Sequence, residues 1–228
     1  MDFSNESYKE TVLKGADKIN IKTMENYDLS DLLEIIDINF EILFKIKLIN
    51  EDVSKLWNDV LFDVMSSVYS ATSGFYRQAQ ITLRSVLELG CMSFFYLDKE
   101  SEFISYKEYE GKTKTPTSLV NQDGFFTTDY IRRNFYSDID SIQKCIDSVS
   151  EYIKKIYSEL CLTVHGRYNK LNRQEELPLR YNQDLLEEFI KNLNAVMSIF
   201  ATMYILRTAD MSIEKLVSLA KSSETIEI

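Results

Sequence analysis

Residues 139–160, IDSIQKCIDSVSEYIKKIYSEL, carry Ile139, Ile142, Ile146, Val149, Ile153, Ile156 and Leu160 at alternating steps of three and four. At 3.6 residues per turn this spacing puts all of them on one stripe of a single helix, which must face another helix to leave water. A second series, Leu186, Phe189, Leu193, Val196, Phe200 and Met203, follows after an expected loop from Gly166 to Asn182. A loop of that kind between two stripes predicts an antiparallel helical pair, with Gly166 placed to stop the first helix.

Working outward, the rest of the chain reads the same way. Six glycines and two prolines in 228 residues are too few for the regular turns of a sandwich or barrel. The expected class is all-α, a bundle with long antiparallel helices. Leu29 to Lys47, LSDLLEIIDINFEILFKIK, reads as a helix capped by Ser30 or Asp28. Leu56 to Leu97 reads as one long helix or as two helices broken near Ser70–Gly74. Gly111 to Gly124 is expected to be loop, and the stretch through Arg132–Arg133 is open to either reading. With 45% apolar residues the chain can bury one substantial core. One domain over 1–228 is expected, with 1–27 peripheral.

The formal net charge is −10, which disfavours long-range capture of a polyanion, so any nucleic-acid site must be local. Cys91, Cys145 and Cys161 form an odd set without C-x-x-C spacing, as reduced cytosolic thiols would. The start, MDFSNESYKE, has no apolar stretch of a secretory signal. The apolar run AVMSIFATMYIL, 195–206, is too short to span a bilayer and reads as a core helix. A cytoplasmic location away from membranes is the expectation.

Residues with chemistry to offer fall in three places. Arg77, Arg84, Glu88 and Cys91 share a polar stripe on an otherwise apolar helix. Arg84 and Glu88 have the i,i+4 spacing of an ordinary ion pair, and the same stripe could line a cleft against the helix that carries His165. His165 is the only histidine, in ELCLTVHGRY, 159–168. At a helix end it could pack against the macrodipole, or serve as a general acid or base near neutral pH. The following loop interleaves Arg167, Lys170 and Arg173 with Tyr168, a pattern suited to phosphates and stacked bases or simply to a solvated loop. No cofactor motif is present, and no metal is expected: Cys161 and His165 are a pair without a second pair, and Asp59 with Asp63 reads as a solvated face.

The segments SGFYRQAQITLRSVLELGCMSFFYL (73–97) and YSELCLTVHGR (157–167) resemble the HEPN superfamily of bacterial all-helical proteins. The resemblance covers Ser66–Leu97 and Ile139–Arg167. It implies a helical bundle, often dimeric, of the toxin–antitoxin or abortive-infection kind that acts against phage. Active members are metal-independent endoribonucleases with a histidine at a helix end, shortly preceded by an arginine. Here the six residues before His165 include no basic side chain, so Arg84 or Arg167 would have to supply the charge through space. In that reading His165, Arg84 and Glu88 are catalytic, and Arg77, Arg167, Tyr168, Lys170 and Arg173 hold RNA. The alternative is a non-catalytic helical dimerisation module, acting as a sensor or partner subunit of the same kind of system.

Overall fold

The computed structural model of the chain describes residues 4–109, 114–164 and 179–227. Helix α1, Asn5–Tyr8, passes through a π-helical turn, Lys9–Leu13, into α2, Lys14–Asn26. Helices α3, Ser30–Ile49, and α4, Glu51–Thr72, form a hairpin around Asn50. Asn50 ends one helix and caps the next, its side chain accepting the N–H groups of Asp52 and Val53. Asp28 helps open α3 by accepting the N–H of Ser30.

The apolar stretch expected between Leu56 and Leu97 is two helices. The chain turns at Ser73–Gly74–Phe75, with Gly74 in the left-handed region at φ +88°, and continues as α5, Tyr76–Asp98. Then come α6, Glu100–Tyr109; α7, Pro116–Asp123; α8, Thr128–Asn134; α9, Ser148–Val164; α10, Gln183–Thr208; and α11, Glu214–Ser222. Among the described residues there is no strand, only an isolated bridge between Gln143 and Ile226. The chain is all-α.

Two expectations need correction. The stretch 111–124 is not all loop. Thr115 accepts the N–H of Ser118, Pro116 fills the first turn, and Gly124 closes the helix at φ +66°. The stripe from Ile139 to Leu160 is also not one helix. Ile139–Ser141 is a short 3₁₀ turn, α9 starts only at Ser148, and Ile146 is 81% exposed. The reason is competition for backbone groups. Lys144 N–H donates to Thr225 O, and Glu227 N–H donates to Ile142 O, so the C-terminal tail takes the partners a helix would use. Asp147 then turns at φ +59°, locked by reciprocal bonds with Thr128: its carboxylate accepts the Thr128 N–H and its own N–H donates to Thr128 Oγ1. Val149, Ile153, Ile156 and Leu160 remain buried as predicted.

The helix directions follow from a few contacts. Near the start of α5, Tyr76 Oη accepts the Asn182 N–H, and Gln80 accepts from Asn192. Near its end, Arg207 reaches Leu97 and Asp98. So α10 runs parallel to α5. Helix α9 runs the other way, since it begins beside α8 and its Tyr157 reaches back to Arg84. The expected antiparallel pairing of α9 with α10 is present. At the centre Trp57 meets the edges of Phe94 and Phe200, with ring centroids 5.3 and 5.2 Å away. Helix α10 is long and apolar enough to cross a membrane by length and composition, unlike the shorter run read from the sequence. In an 18-residue window of it, however, 78% is buried inside the bundle, as in the core helix the sequence suggested.

After α10 the chain turns through Ala209 in the left-handed region, and Asp210 organises the turn. Its carboxylate accepts the hydroxyl and N–H of Ser212, the Tyr204 hydroxyl and the Lys45 ammonium. The Ser212 bonds, then Tyr204 and Lys45, hold its pKa well below the usual carboxylate range. A depressed folded-state pKa stabilises the fold above the unfolded value of about 4, and the contribution fades as pH falls below it. Asp210→Asn should therefore lower the melting temperature at pH 7. Thermal melts of the two proteins should draw together progressively as the pH is lowered below about 4, and equal melts at pH 7 would count against this role.

Candidate functional site

Helix α5 is apolar on most of its surface, and burial takes Leu83, Val86, Leu87, Cys91, Phe94 and Phe95. Arg84 and Glu88 sit at the edge of this buried face, one helical turn apart. Arg84 Nη2 lies 2.8 Å from Glu88 Oε1, and Nε donates to the same oxygen at 3.0 Å. The ordinary i,i+4 ion pair is thus present, and it faces α9. There Tyr157 completes a closed triangle: its hydroxyl donates to Glu88 Oε1 at 2.7 Å and accepts from Arg84 Nη2 at 3.1 Å. The guanidinium also lies over the Tyr157 ring, 5.5 Å from its centroid.

Electrostatics follow from this geometry. Burial pulls the Arg84 pKa down, but the Tyr157 bond and the Glu88 charge outweigh it, leaving the guanidinium above its ordinary value. Burial, then the bond to Glu88, raises the Tyr157 phenol, so it stays protonated at neutral pH. The two charged side chains keep 25% and 27% of their surface exposed, so the cluster is open to solvent. Chemically it is a paired cation and anion bridged by a neutral hydroxyl donor.

The remaining predicted residues divide clearly. Arg77 is exposed, the second residue of α5. Cys91, on the same stripe, is fully buried, and burial pushes its thiol far above the ordinary range, which removes it as a nucleophile at neutral pH. His165, Arg167, Tyr168, Lys170 and Arg173 lie outside the described residues, as does Gly166. Cys161, partly buried on the last turn of α9, is close enough to Arg84 and Tyr157 to influence both. Tyr157 is the site residue that sequence reasoning missed. Its one signal was a hydroxyl-bearing ring next to Ile156 on the helix that leads to His165.

A second concavity, of about 790 Å³, lies between α8 and the 139–147 segment. Within it Arg132 bridges Asp129 at 3.1 Å and Asp140 at 2.6 Å. Among the described residues no three His, Cys, Asp or Glu side chains cluster closely enough to hold a metal ion.

The triangle makes a specific prediction. Tyr157→Phe removes one hydroxyl from a partly buried Arg–Glu pair, and a bond to charged groups contributes about 1.5–3 kcal/mol. The partial exposure of the pair reduces that to about 1 kcal/mol. Urea unfolding measures it, and a variant as stable as the parent would remove the bridging role. No family model matches this sequence, and neither a curated protein nor a solved structure shows significant similarity to it.

Proposed function

We propose that the chain is a HEPN-like cytoplasmic protein of a bacterial anti-phage or toxin–antitoxin system, acting as a metal-independent endoribonuclease. The observation that carries this reading is the Arg84–Glu88–Tyr157 cluster, held between α5 and the last turns of α9, the helix whose final described residue, Val164, directly precedes His165. In the proposed reaction His165 takes the proton of a ribose 2′-hydroxyl as its oxygen attacks phosphorus, or protonates the departing 5′-oxygen as the P–O bond breaks. Arg84, with Arg167, stabilises the charge on the phosphate, and Glu88 orients Arg84. Tyr157 holds the pair in place. Arg77, Arg167, Tyr168, Lys170 and Arg173 would grip the RNA strand.

The test is cleavage of total cellular RNA and tRNA with a chelator present. His165→Ala should abolish cleavage and cellular toxicity while circular dichroism stays unchanged. Arg84→Ala should lower the rate by roughly a hundredfold or more, the usual cost of removing one charge-stabilising donor. Undiminished cleavage by His165→Ala would remove the proposal.

One observation favours the second reading, a non-catalytic interaction module. Arg84 is already ion-paired with Glu88 and hydrogen-bonded to Tyr157, and no basic residue stands among the six before His165. Absence of cleavage by the wild-type protein, with self-association intact, would select this reading.

A further inference from the structure

The outer face of the α3–α4 hairpin is unusually apolar. Leu33, Phe40 and Phe44 of α3 are 59%, 50% and 58% exposed, and Phe62, Met65 and Tyr69 of α4 are 67%, 44% and 63% exposed. At 100° per residue the first three fall within about 40° of one another around α3, and the second three within about 60° around α4.

The two stripes border the same seam. On one flank of α3, Glu34 and Lys45 pair with Lys215 and Asp210, which marks the side of α10 and α11. On the other, the Asn39 carbonyl accepts from Trp57 Nε1, which marks the side of α4. Leu33, Phe40 and Phe44 lie between those two flanks, on the side of α3 opposite its buried isoleucines, and face outward. Around α4, Asp52 pairs with Lys107 on the α6 side, whereas Thr72 meets Asn20 and Thr23 on the side of α2. Phe62, Met65 and Tyr69 lie between these two sides, opposite the buried Val53, Val60 and Val64. Because α3 and α4 are adjacent and antiparallel, joined at Asn50, their outward stripes form one patch across the hairpin.

We propose that this face joins two copies of the chain in a twofold-symmetric dimer. Its size fits. Taking ~150–200 Å² for each large side chain, the exposed fractions amount to roughly 500–680 Å² of apolar surface. A standard interface takes about 800 Å² from each partner, and monomers rarely expose so large a contiguous patch.

Charge selects a second copy over an unrelated partner. On α3 itself, Asp37 and Lys47 flank the apolar stripe at about 40° on either side of Leu33. An antiparallel crossing of α3 on its copy sets each of them against the other. One register places Asp37 against Lys47 of the partner subunit, Phe40 against Phe44 of the partner subunit and Ile36 against Leu48 of the partner subunit. Neither Asp37 nor Lys47 has an ion pair among the described residues of its own chain. The pairing is its own inverse, as an isologous interface requires.

The inference rests on the self-association reading and not on RNA cleavage. Light scattering after size exclusion, on the full chain from about 1 to 100 µM, should give twice the 26.6 kDa chain mass. Phe40→Glu with Phe44→Glu should give a monomer with unchanged helix content. Lys47→Glu should weaken association about tenfold or more, and adding Asp37→Lys should restore it, because the charges are then exchanged and not lost. A wild-type monomer at every concentration would overturn both the dimer and the interaction reading. A dimer that survives the double phenylalanine substitution would overturn this face alone. The RNA assay, run on the same proteins, reports separately on the ribonuclease reading.

Discussion

Gly90→Ala is expected to destabilise the protein by about 3 kcal/mol, at the upper end of the usual cost of overpacking a core. A Cβ built on Gly90 would lie 2.2 and 2.4 Å from ring atoms of Phe200. Phe200 cannot step aside, because its ring is fully buried against Trp57 and beside Phe94. The experiment has a built-in contrast of sign. Alanine is the better helix former by about 1 kcal/mol, so propensity alone would raise stability in the middle of α5. Urea unfolding decides which term wins. Packing predicts a fall, and a partial recovery when Gly90→Ala is combined with Phe200→Leu, so that the two substitutions cost less together than the sum of each alone. A Gly90→Ala protein as stable as the parent would refute the close approach of α5 and α10.

Asp98→Ala should cost about 3–5 kcal/mol, the range for removing one member of a buried ion pair. Asp98 and Arg207 keep only 3% and 15% of their side-chain surface exposed. Asp98 Oδ1 and Arg207 Nη1 face each other and have no other partner among the described residues. Around them, the Tyr130 hydroxyl donates to Asp98 Oδ2 at 2.8 Å and Arg207 Nη2 donates to the Leu97 carbonyl at 3.2 Å. Arg207 also lies over the Phe135 ring. Burial lowers the Arg207 pKa to about 10, which leaves it cationic at neutral pH. Removing Asp98 therefore strands a charge inside the bundle. Asp98→Asn should keep the Tyr130 bond and still lose most of the stability. Asp98→Leu with Arg207→Met should recover much of it, because neither charge then has to be desolvated. Equal unfolding midpoints for Asp98→Ala and the parent would show that water, not Asp98, satisfies Arg207.

These two tests lie where sequence reasoning was weakest. Gly90 reads as a helix-weakening residue until Phe200, 110 positions away, is seen to occupy the space a side chain would need. Asp98 and Arg207 are likewise far apart in the chain and give no local sign of pairing. The candidate site divides the same way. Arg84 and Glu88 were legible as a pair because i,i+4 neighbours meet on any helix. Tyr157 was not, because it reaches them only through the docking of α9 on α5.

Local periodicity was enough for the all-α class and the buried faces of α9 and α10, because a helix's apolar stripe depends on neighbours three and four residues away, but it left one helix or two open between Leu56 and Leu97. It was not enough where remote segments compete for the same backbone groups. The isoleucine pattern runs unbroken from Ile139 to Leu160, yet the bonds of 142–144 to 225–227 and the lock between Asp147 and Thr128 end helical pairing before Ser148. A hydrogen bond to the far end of the chain satisfies a buried amide as well as an intrahelical one does, so helix boundaries, the closed triangle at Arg84 and the outward apolar face of the α3–α4 hairpin emerge only when the helices are packed together.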